Sequence, residues 1–150
     1  MTTTTIGYTL AGLIGAGIIF IGARFIIAPR VAAAGYGVQP DLSQRSAGAY
    51  LSVKGVRDIA SGLIVFALMA AGATHPLGWM ILAATIIPLG DAAIVLANGG
   101  PKAIAFGVHG VTAVVMLLTS ALLLIHLLLY TRVSAPINRQ LTAAAEGGRV

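Results

Sequence analysis

Residues 51–66 read Leu51-Ser-Val-Lys-Gly-Val-Arg-Asp-Ile-Ala-Ser-Gly-Leu-Ile-Val-Phe66, and three charged side chains open a segment that is otherwise apolar as far as Ala73. An apolar segment of about 20 residues is long enough to cross a bilayer as an α-helix. If this helix begins near Ser52, Asp58 lies about 9 Å along its axis. Because a carboxylate inside a membrane is costly, such a residue is by default a candidate for a functional site.

The composition places the chain among integral membrane proteins. Of its 150 residues, 58% are hydrophobic and 9% are charged, whereas soluble proteins have about 25% charged residues. The chain has no cysteine, which excludes disulfides and thiolate-bound metals. We predict a single all-α membrane domain, a four-helix transmembrane bundle with a polar tail over residues 131–150. The predicted spans are residues 6–27, 52–73, 77–97 and 103–130.

The positive charge of the chain indicates contact with membrane lipids rather than with nucleic acid. The formal net charge is +5, but the basic residues are spread over loops and helix ends and form no run. Basic residues at membrane edges meet anionic head groups and orient helices. Six of them fall on the side of the first and third connections and three fall in the tail. The positive-inside rule then predicts a multi-pass protein of the cell membrane with both termini outside the cytoplasm.

The first predicted span carries a stripe of small residues. Gly7, Ala11 and Gly15 recur at four-residue spacing. In lipid, such a stripe lets two helix backbones approach closely. We expect this face to pack on another helix, and it also offers a surface for a homodimer.

Charged and titratable residues of the four predicted helices lie at one depth. Asp58, Asp91 and His109 each lie about six residues, or roughly 9 Å, from the end of the span that faces the first and third connections. Arg24 lies three residues before Ile27 at the same side. We expect Pro88 to kink the third span just before Asp91. This coincidence predicts a polar pocket at the loop-rich end of the bundle.

The second span has two basic side chains that are available to neutralise Asp58. Lys54, Asp58 and Ser61 share one helix face, whereas Arg57 points about 100° away. Two buried carboxylates near arginine counter-charges have pKa values that are pushed apart, as in general acid–base catalysis. The alternative is a salt-bridged cluster that only fixes helix register, with Arg24 and Lys54 snorkelling to the interface.

The candidate catalytic residues are Asp58, Asp91 and His109. One of the two carboxyl groups donates a proton, while the other, held ionised by Arg57, accepts one or activates water. His109 shuttles protons or orients Asp91, and Arg24 stabilises an oxyanion. The candidate substrate-binding residues are Arg24, Lys54, Arg57 and Ser61.

The sequence contains no motif for a metal or a nucleotide. The histidines lie at different depths without His-x-x-His or Glu-x-x-His spacing. The Gly-x-Ser-x-Gly elbow, the phosphate loop and the dinucleotide fingerprint are also missing from the sequence. We therefore expect no metal site and no cofactor.

Five short motifs are spread along the chain: Ala28-Pro-Arg30, Gly35-Tyr-Gly37, Lys54-Gly-Val-Arg-Asp58 with Gly62, Pro88-Leu-Gly-Asp91 and Gly107-Val-His109-Gly110. With these motifs the sequence resembles, over roughly residues 6–130, a group of small four-helix membrane proteins of bacteria and fungi catalogued as a domain of unknown function. More distantly it is similar to the DoxX-like small membrane proteins. The resemblance implies a link to small-molecule metabolism and a four-helix bundle. It also implies characteristic polar positions at Arg30, Lys54, Arg57, Asp58, Asp91 and His109.

The function that these residues indicate is the binding and acid–base conversion of a lipophilic small molecule. Isomerisation, cyclisation and epoxide opening are reactions of this kind that need no cofactor. A proton-coupled carrier would use the same carboxylates as a relay, and a carrier of this size would have to dimerise. An accessory or structural membrane subunit would use the charge cluster only to lock the helix register.

Overall fold

The computed structural model of the protein describes residues 3–125. The end of the fourth predicted span, residues 126–130, and the tail over residues 131–150 lie outside the described residues. Within the described part the regular structure is helical and has no strand, which confirms the predicted all-α class; the number of four spans stays a prediction. Its five helices are α1 (Thr3–Ile27), α2 (Pro29–Tyr36), α3 (Arg45–Ala70), α4 (Thr74–Ala97) and α5 (Lys102–Ile125).

Three of these helices are long and apolar enough to cross a membrane. They are α1 with 25 residues and α4 and α5 with 24 residues each, and their mean hydropathy is 2.1 to 2.2. This is the pattern of a multi-pass membrane protein. The 26-residue helix α3 is equally long, but any 18-residue stretch of it contains Lys54, Arg57 and Asp58.

Helix α3 begins earlier than the sequence predicts. It starts at Arg45 instead of near Ser52, so Asp58 lies thirteen residues after its first residue. The assumption that the helix begins near Ser52 was wrong, because hydropathy marks only the apolar part of a helix, whereas the helix continues wherever its backbone remains hydrogen-bonded; the predicted span over residues 52–73 stays a prediction. The predicted polar connection is therefore shorter, because it also contains α2.

Helices α1 and α3 pack against each other with their backbones in contact. A Cβ atom added to Gly22 would lie 2.5 Å from the carbonyl oxygen of Gly55, and one added to Gly62 would lie 2.6 Å from that of Gly15. From the first contact to the second, the position falls by seven residues in α1, from Gly22 to Gly15, and rises by seven in α3, from Gly55 to Gly62. The two helices are therefore antiparallel. Glycine allows this approach because it has no side chain.

The small-residue stripe of α1 is buried inside the bundle. Gly7, Ala11 and Gly15 are all buried, and a Cβ atom added to Gly7 would lie 2.8 Å from Leu123 of α5. The expectation that this face packs on other helices is confirmed. The expectation that it offers a surface for a homodimer is wrong, because helices of the same chain already cover it.

The end of the bundle away from α2 is filled by an apolar core. Ala11, Leu77 and Leu123 are fully buried in one cluster with neighbouring residues of α3 and α4. At the same end the hydroxyl groups of Tyr8 and Thr74 are hydrogen-bonded at 2.9 Å. The four long helices α1, α3, α4 and α5 therefore pack tightly at the end away from α2, and the cavity between them lies at the α2 end.

Helix α4 is interrupted where the proline predicts it. Pro88 has no N–H group for the carbonyl of Ala84, and the helical pattern breaks at Thr85. The Thr85 hydroxyl donates a hydrogen bond to the Ile81 carbonyl at 2.9 Å. The helix is therefore interrupted at Thr85, shortly before Asp91, where the sequence predicts an irregularity caused by Pro88.

Candidate functional site

A cavity of about 250 Å³ lies at the α2 end of the bundle and receives side chains from all five helices. Much of its wall is apolar, with Ile18 and Ile21 from α1, Ile87 from α4 and Met116 from α5. Six of the seven residues that the sequence predicts for a site line this cavity. They are Arg24, Lys54, Asp58, Ser61, Asp91 and His109.

Asp58 forms an ion pair with the lysine one helical turn before it. The Lys54 Nζ atom lies 2.7 Å from Asp58 Oδ2, and only 11% of the Asp58 side chain is exposed. The same ammonium group lies 4.8 Å from the ring centroids of both Phe25 and Tyr36, a distance at which a cation is attracted to an aromatic face. Lys54 is thus held by a carboxylate and by two rings.

Arg57 does not take the role that the sequence suggested for it. Its side chain is exposed and does not line the cavity. Lys54 has taken the place beside Asp58 because residues four apart share a helix face, whereas adjacent residues are about 100° apart. The prediction that Arg57 is the counter-charge of a carboxylate is therefore wrong, and Lys54 is the basic residue that pairs with Asp58.

The remaining two predicted residues lie outside the salt bridge but still face the cavity. Ser61 donates its hydroxyl hydrogen to the carbonyl of Arg57 at 2.9 Å, so its oxygen remains an acceptor. Arg24 is exposed, and its guanidinium carbon lies 5.9 Å from the ring centroid of Phe20. Arg24 therefore lies at the rim of the cavity.

His109 connects three elements of the fold. Its Nε2 atom lies 3.0 Å from the carbonyl oxygen of Tyr36, and its Nδ1 atom lies 3.9 Å from Asp91 Oδ2. Because a carbonyl oxygen only accepts, Nε2 must donate, so the neutral ring has its lone pair on Nδ1 facing Asp91. The carbonyl of Tyr36 is free for this contact because it belongs to the last turn of α2.

The turn of α5 that carries His109 is π-helical. It extends over Ala105–Gly110, and such turns place an extra residue in a helix and are frequent at functional sites. His109 is one of the buried residues of this turn. The ring of His109 thus enters the bundle from a π-helical turn of a mainly apolar helix.

Tyr36 is the site residue that sequence reasoning missed. Its ring lies 4.8 Å from the His109 ring and 5.7 Å from the Phe25 ring, in both cases edge to face. Burial, then a hydrogen bond to Asp91 and the negative charges of Asp91 and Asp58, raises the pKa of the Tyr36 hydroxyl. The hydroxyl therefore remains a hydrogen-bond donor at physiological pH.

The signal that would have found Tyr36 is its position between two glycines. Gly37 ends α2 in the left-handed conformation with φ of 97°, which favours glycine. A side chain there would also approach Ile104 and Val95. An aromatic residue directly before such a turn is held in one orientation, and the Gly35-Tyr-Gly37 motif marks that arrangement.

Tyr36→Ala and Tyr36→Phe are expected to affect stability differently. The alanine variant loses the ring contacts to Lys54, Phe25 and His109, and its free energy of unfolding should fall by roughly 2–3 kcal/mol. The phenylalanine variant keeps the rings together and loses only the hydroxyl, at about 1 kcal/mol. Thermal unfolding in detergent measures both. Equal stability of the alanine variant and the natural protein would show that α2 is not packed on the bundle.

These features define an all-α multi-pass membrane protein with a cavity between its helices that is lined by apolar and charged residues. The chain belongs to the family described as a domain of unknown function (DUF4267), whose model matches residues 15–123. All residues that line the cavity fall within the matched range. Comparisons with curated proteins and with solved structures gave no significant match. The predicted relationship to a domain of unknown function is confirmed, and the more distant similarity to DoxX-like proteins stays a prediction.

Proposed function

We propose that this protein is a four-helix membrane bundle that binds a lipophilic small molecule in the cavity and converts it by acid–base chemistry. Isomerisation, cyclisation and epoxide opening are the reaction types that fit. The observation that carries the proposal is a cavity with apolar walls into which two carboxylates project, each with a different partner. Asp58 lies against the ammonium group of Lys54, whereas Asp91 lies against His109.

The proposal includes α3 as the fourth span. Its backbone contacts with the spanning helix α1 at Gly22 and Gly15 favour an antiparallel pair that crosses the bilayer together. The cost of the charges in α3 is reduced because Lys54 and Asp58 form a neutral pair, and paired charges facing a bundle interior are the form in which membranes tolerate them.

The two carboxylates have different roles in the proposed chemistry. Lys54 stabilises the ionised form of Asp58, which makes Asp58 the base that accepts a proton or activates water. Asp91 and His109, which lie next to each other on the cavity wall with Oδ2 and Nδ1 3.9 Å apart, are assigned the role of the acid. Arg24 and Ser61 lie on the cavity wall, where they can contact the ligand.

The Lys54–Asp58 ion pair is not by itself a register lock. Both residues belong to the same helix, four residues apart, and the cluster joins helices only through the rings of Phe25 and Tyr36 beside Lys54 and through the contacts of His109. Register between α1 and α3 is already set by the glycine contacts. The carrier alternative predicts that a pH gradient drives uptake into liposomes, whereas an enzyme changes its substrate in detergent without a gradient.

Native mass spectrometry of gently extracted protein tests the proposal. Denaturing analysis of the released compound would identify a lipophilic molecule bound to the natural protein. We expect Asp91→Asn and Asp58→Asn to lose the compound and Asp41→Asn, the same change at an exposed loop residue, to keep it. Absence of any compound, together with variants that unfold or change subunit number, would reject the site.

The orientation in the membrane is a further part of the proposal. The basic residues around the α2 end of the bundle favour the cytoplasmic side for that end. Because the chain has no cysteine, a single cysteine can be introduced at either end of α3. Ser43→Cys and Ala71→Cys then report on the two opposite sides of the membrane. An impermeant maleimide added to intact cells should label Ala71→Cys and leave Ser43→Cys unlabelled. The reverse pattern would invert the orientation.

A further inference from the structure

We infer that the cavity opens sideways into the bilayer, between α1 and α5, and receives its ligand from the lipid phase. Four wall residues border this opening, which we call the lateral mouth. They are Ile21 and Arg24 of α1 and Val108 and Thr112 of α5. The inference rests on the proposed function for the existence of a ligand and adds its source, a lipophilic molecule dissolved in the membrane.

The residues of the lateral mouth line the cavity and are exposed at the same time. Ile21 is 43% exposed and Val108 is 46% exposed, and Arg24 and Thr112 are exposed as well. The wall residues that α3 contributes are all buried or half-buried. They are Lys54, Asp58, Ser61 and Val65. The cavity is therefore covered along α3 and uncovered where α1 and α5 border it.

The packing of α1 explains why the mouth lies near the α2 end. Close to its start α1 touches α5, because a Cβ atom added to Gly7 would lie 2.8 Å from Leu123. Further along, α1 is in close contact with α3, because a Cβ atom added to Gly22 would lie 2.5 Å from the carbonyl oxygen of Gly55. Helix α1 thus follows α3 towards the α2 end, and the cavity takes up the space between α1 and α5.

The lateral mouth is continuous with the lipid-facing surface of the protein. Both helices that border it are long and apolar enough to span the membrane, so their exposed apolar side chains contact lipid. Exposed Phe20 directly precedes Ile21, and exposed Val111 lies three residues after Val108. Ile21 and Val108 therefore belong both to this surface and to the cavity wall. Hydrocarbon passes such an apolar boundary at low cost, whereas water and ions lose hydration there.

The polar groups of the wall determine how a ligand from the lipid lies in the cavity. Asp58 and His109 are buried, so both lie inside the mouth. At the mouth itself the Thr112 hydroxyl already donates a hydrogen bond to the Val108 carbonyl at 2.7 Å. The polar end of the ligand therefore points inwards, and its hydrocarbon part extends through the mouth into lipid. The length of this part is then not limited by the cavity volume of about 250 Å³.

Photolabelling in vesicles tests the lateral mouth without any assumption about the reaction. The full chain is reconstituted in phosphatidylcholine vesicles, and trifluoromethyl phenyl diazirine, which dissolves in the bilayer, is activated by light at increasing times after its addition. A charged diazirine that cannot enter the bilayer is used in parallel. Mass spectrometry measures the labelling of Val65 and Met116, two buried residues of the cavity wall. We expect the lipid-soluble reagent to label both about tenfold faster than the charged reagent.

Matched tryptophan variants locate the mouth. Val108→Trp places a large ring in the lateral mouth, and Val114→Trp places the same ring on an exposed position of the same helix, outside the cavity lining. We expect Val108→Trp to slow the labelling of Met116 about tenfold and Val114→Trp to leave the rate unchanged. Ile21→Trp, on the α1 side of the mouth, should act like Val108→Trp and decides the question if that variant does not fold.

The outcomes separate the mouth from the proposed function. Slower labelling in Ile87→Trp, at the exposed wall residue of α4, with full rates in Val108→Trp and Ile21→Trp, would overturn the position of the mouth. Faster labelling by the charged reagent would indicate entry from water, beside the exposed wall residue Gly35, and would overturn the lipid route. Neither result touches the proposed function, which fails if no bound compound is found while labelling through the mouth proceeds as expected.

Discussion

Under the proposed function, Asp91→Asn is expected to lower the rate at which the ligand is converted by about 10²- to 10⁴-fold, the range that a positioned general acid contributes. The amide cannot act as a Brønsted acid in place of the carboxyl group, although it has the same shape. The rate is measured in detergent by mass spectrometry, with the compound released from the natural protein as the substrate. Helix content and elution volume should be unchanged.

Asp91 is a cleaner test of the chemistry than Asp58. Removing Asp58 leaves the partly buried ammonium group of Lys54, whose side chain is 28% exposed, without its partner, and losing one partner of such a hydrogen-bonded pair costs about 1–3 kcal/mol. Asp58→Asn should therefore lose both activity and stability. Asp41→Asn serves as the matched control for both variants. A folded Asp91→Asn protein with the full rate would show that acid–base conversion at this site is wrong.

Gly22→Ala is expected to lower the free energy of unfolding by about 1–3 kcal/mol, the usual cost of overpacking. The added methyl group would lie 2.5 Å from the carbonyl oxygen of Gly55 and 2.9 Å from Cβ of Asp58. One of these neighbours is backbone, so α1 and α3 must move apart. Thermal unfolding in detergent, followed by circular dichroism, measures the loss.

Gly17→Ala is the control for this substitution. Gly17 lies in the same helix with nothing within 4 Å of an added Cβ. Alanine at this position should therefore raise the free energy of unfolding by up to about 1 kcal/mol, because its helix propensity is higher. The difference between the two variants isolates the close approach of the helices. If both variants unfold at the same temperature, α1 and α3 do not pack through these glycines.

The meeting of Asp58, Asp91 and His109 in one cavity could be predicted from the sequence. Their common depth depends on where each apolar segment ends, which hydropathy locates well for α4 and α5. The start of α3 was misplaced, but this error did not move Asp58 along the bundle, because packing on α1 and not the first helical residue sets its height.

The roles of Arg57 and Tyr36 could not be predicted in the same way. Helix periodicity places Lys54 on the same face as Asp58, but whether Arg57 points into the bundle depends on which face of α3 meets α1. Gly55 and Gly62 decide this, and Arg57 is then left on an exposed face. Tyr36 acts through contacts with residues far away in sequence, which no local pattern specifies.

Two of the residues on the cavity wall are Met80 and Met116, and both also pack against the apolar core at the closed end of the bundle. A methionine side chain is unbranched and adapts its shape to its neighbours. The wall can therefore yield to ligands of somewhat different outline, while the polar groups near α2 keep their positions. Under the proposed function, we therefore expect the site to be strict about the head group of a ligand and tolerant of the branching of its hydrocarbon part.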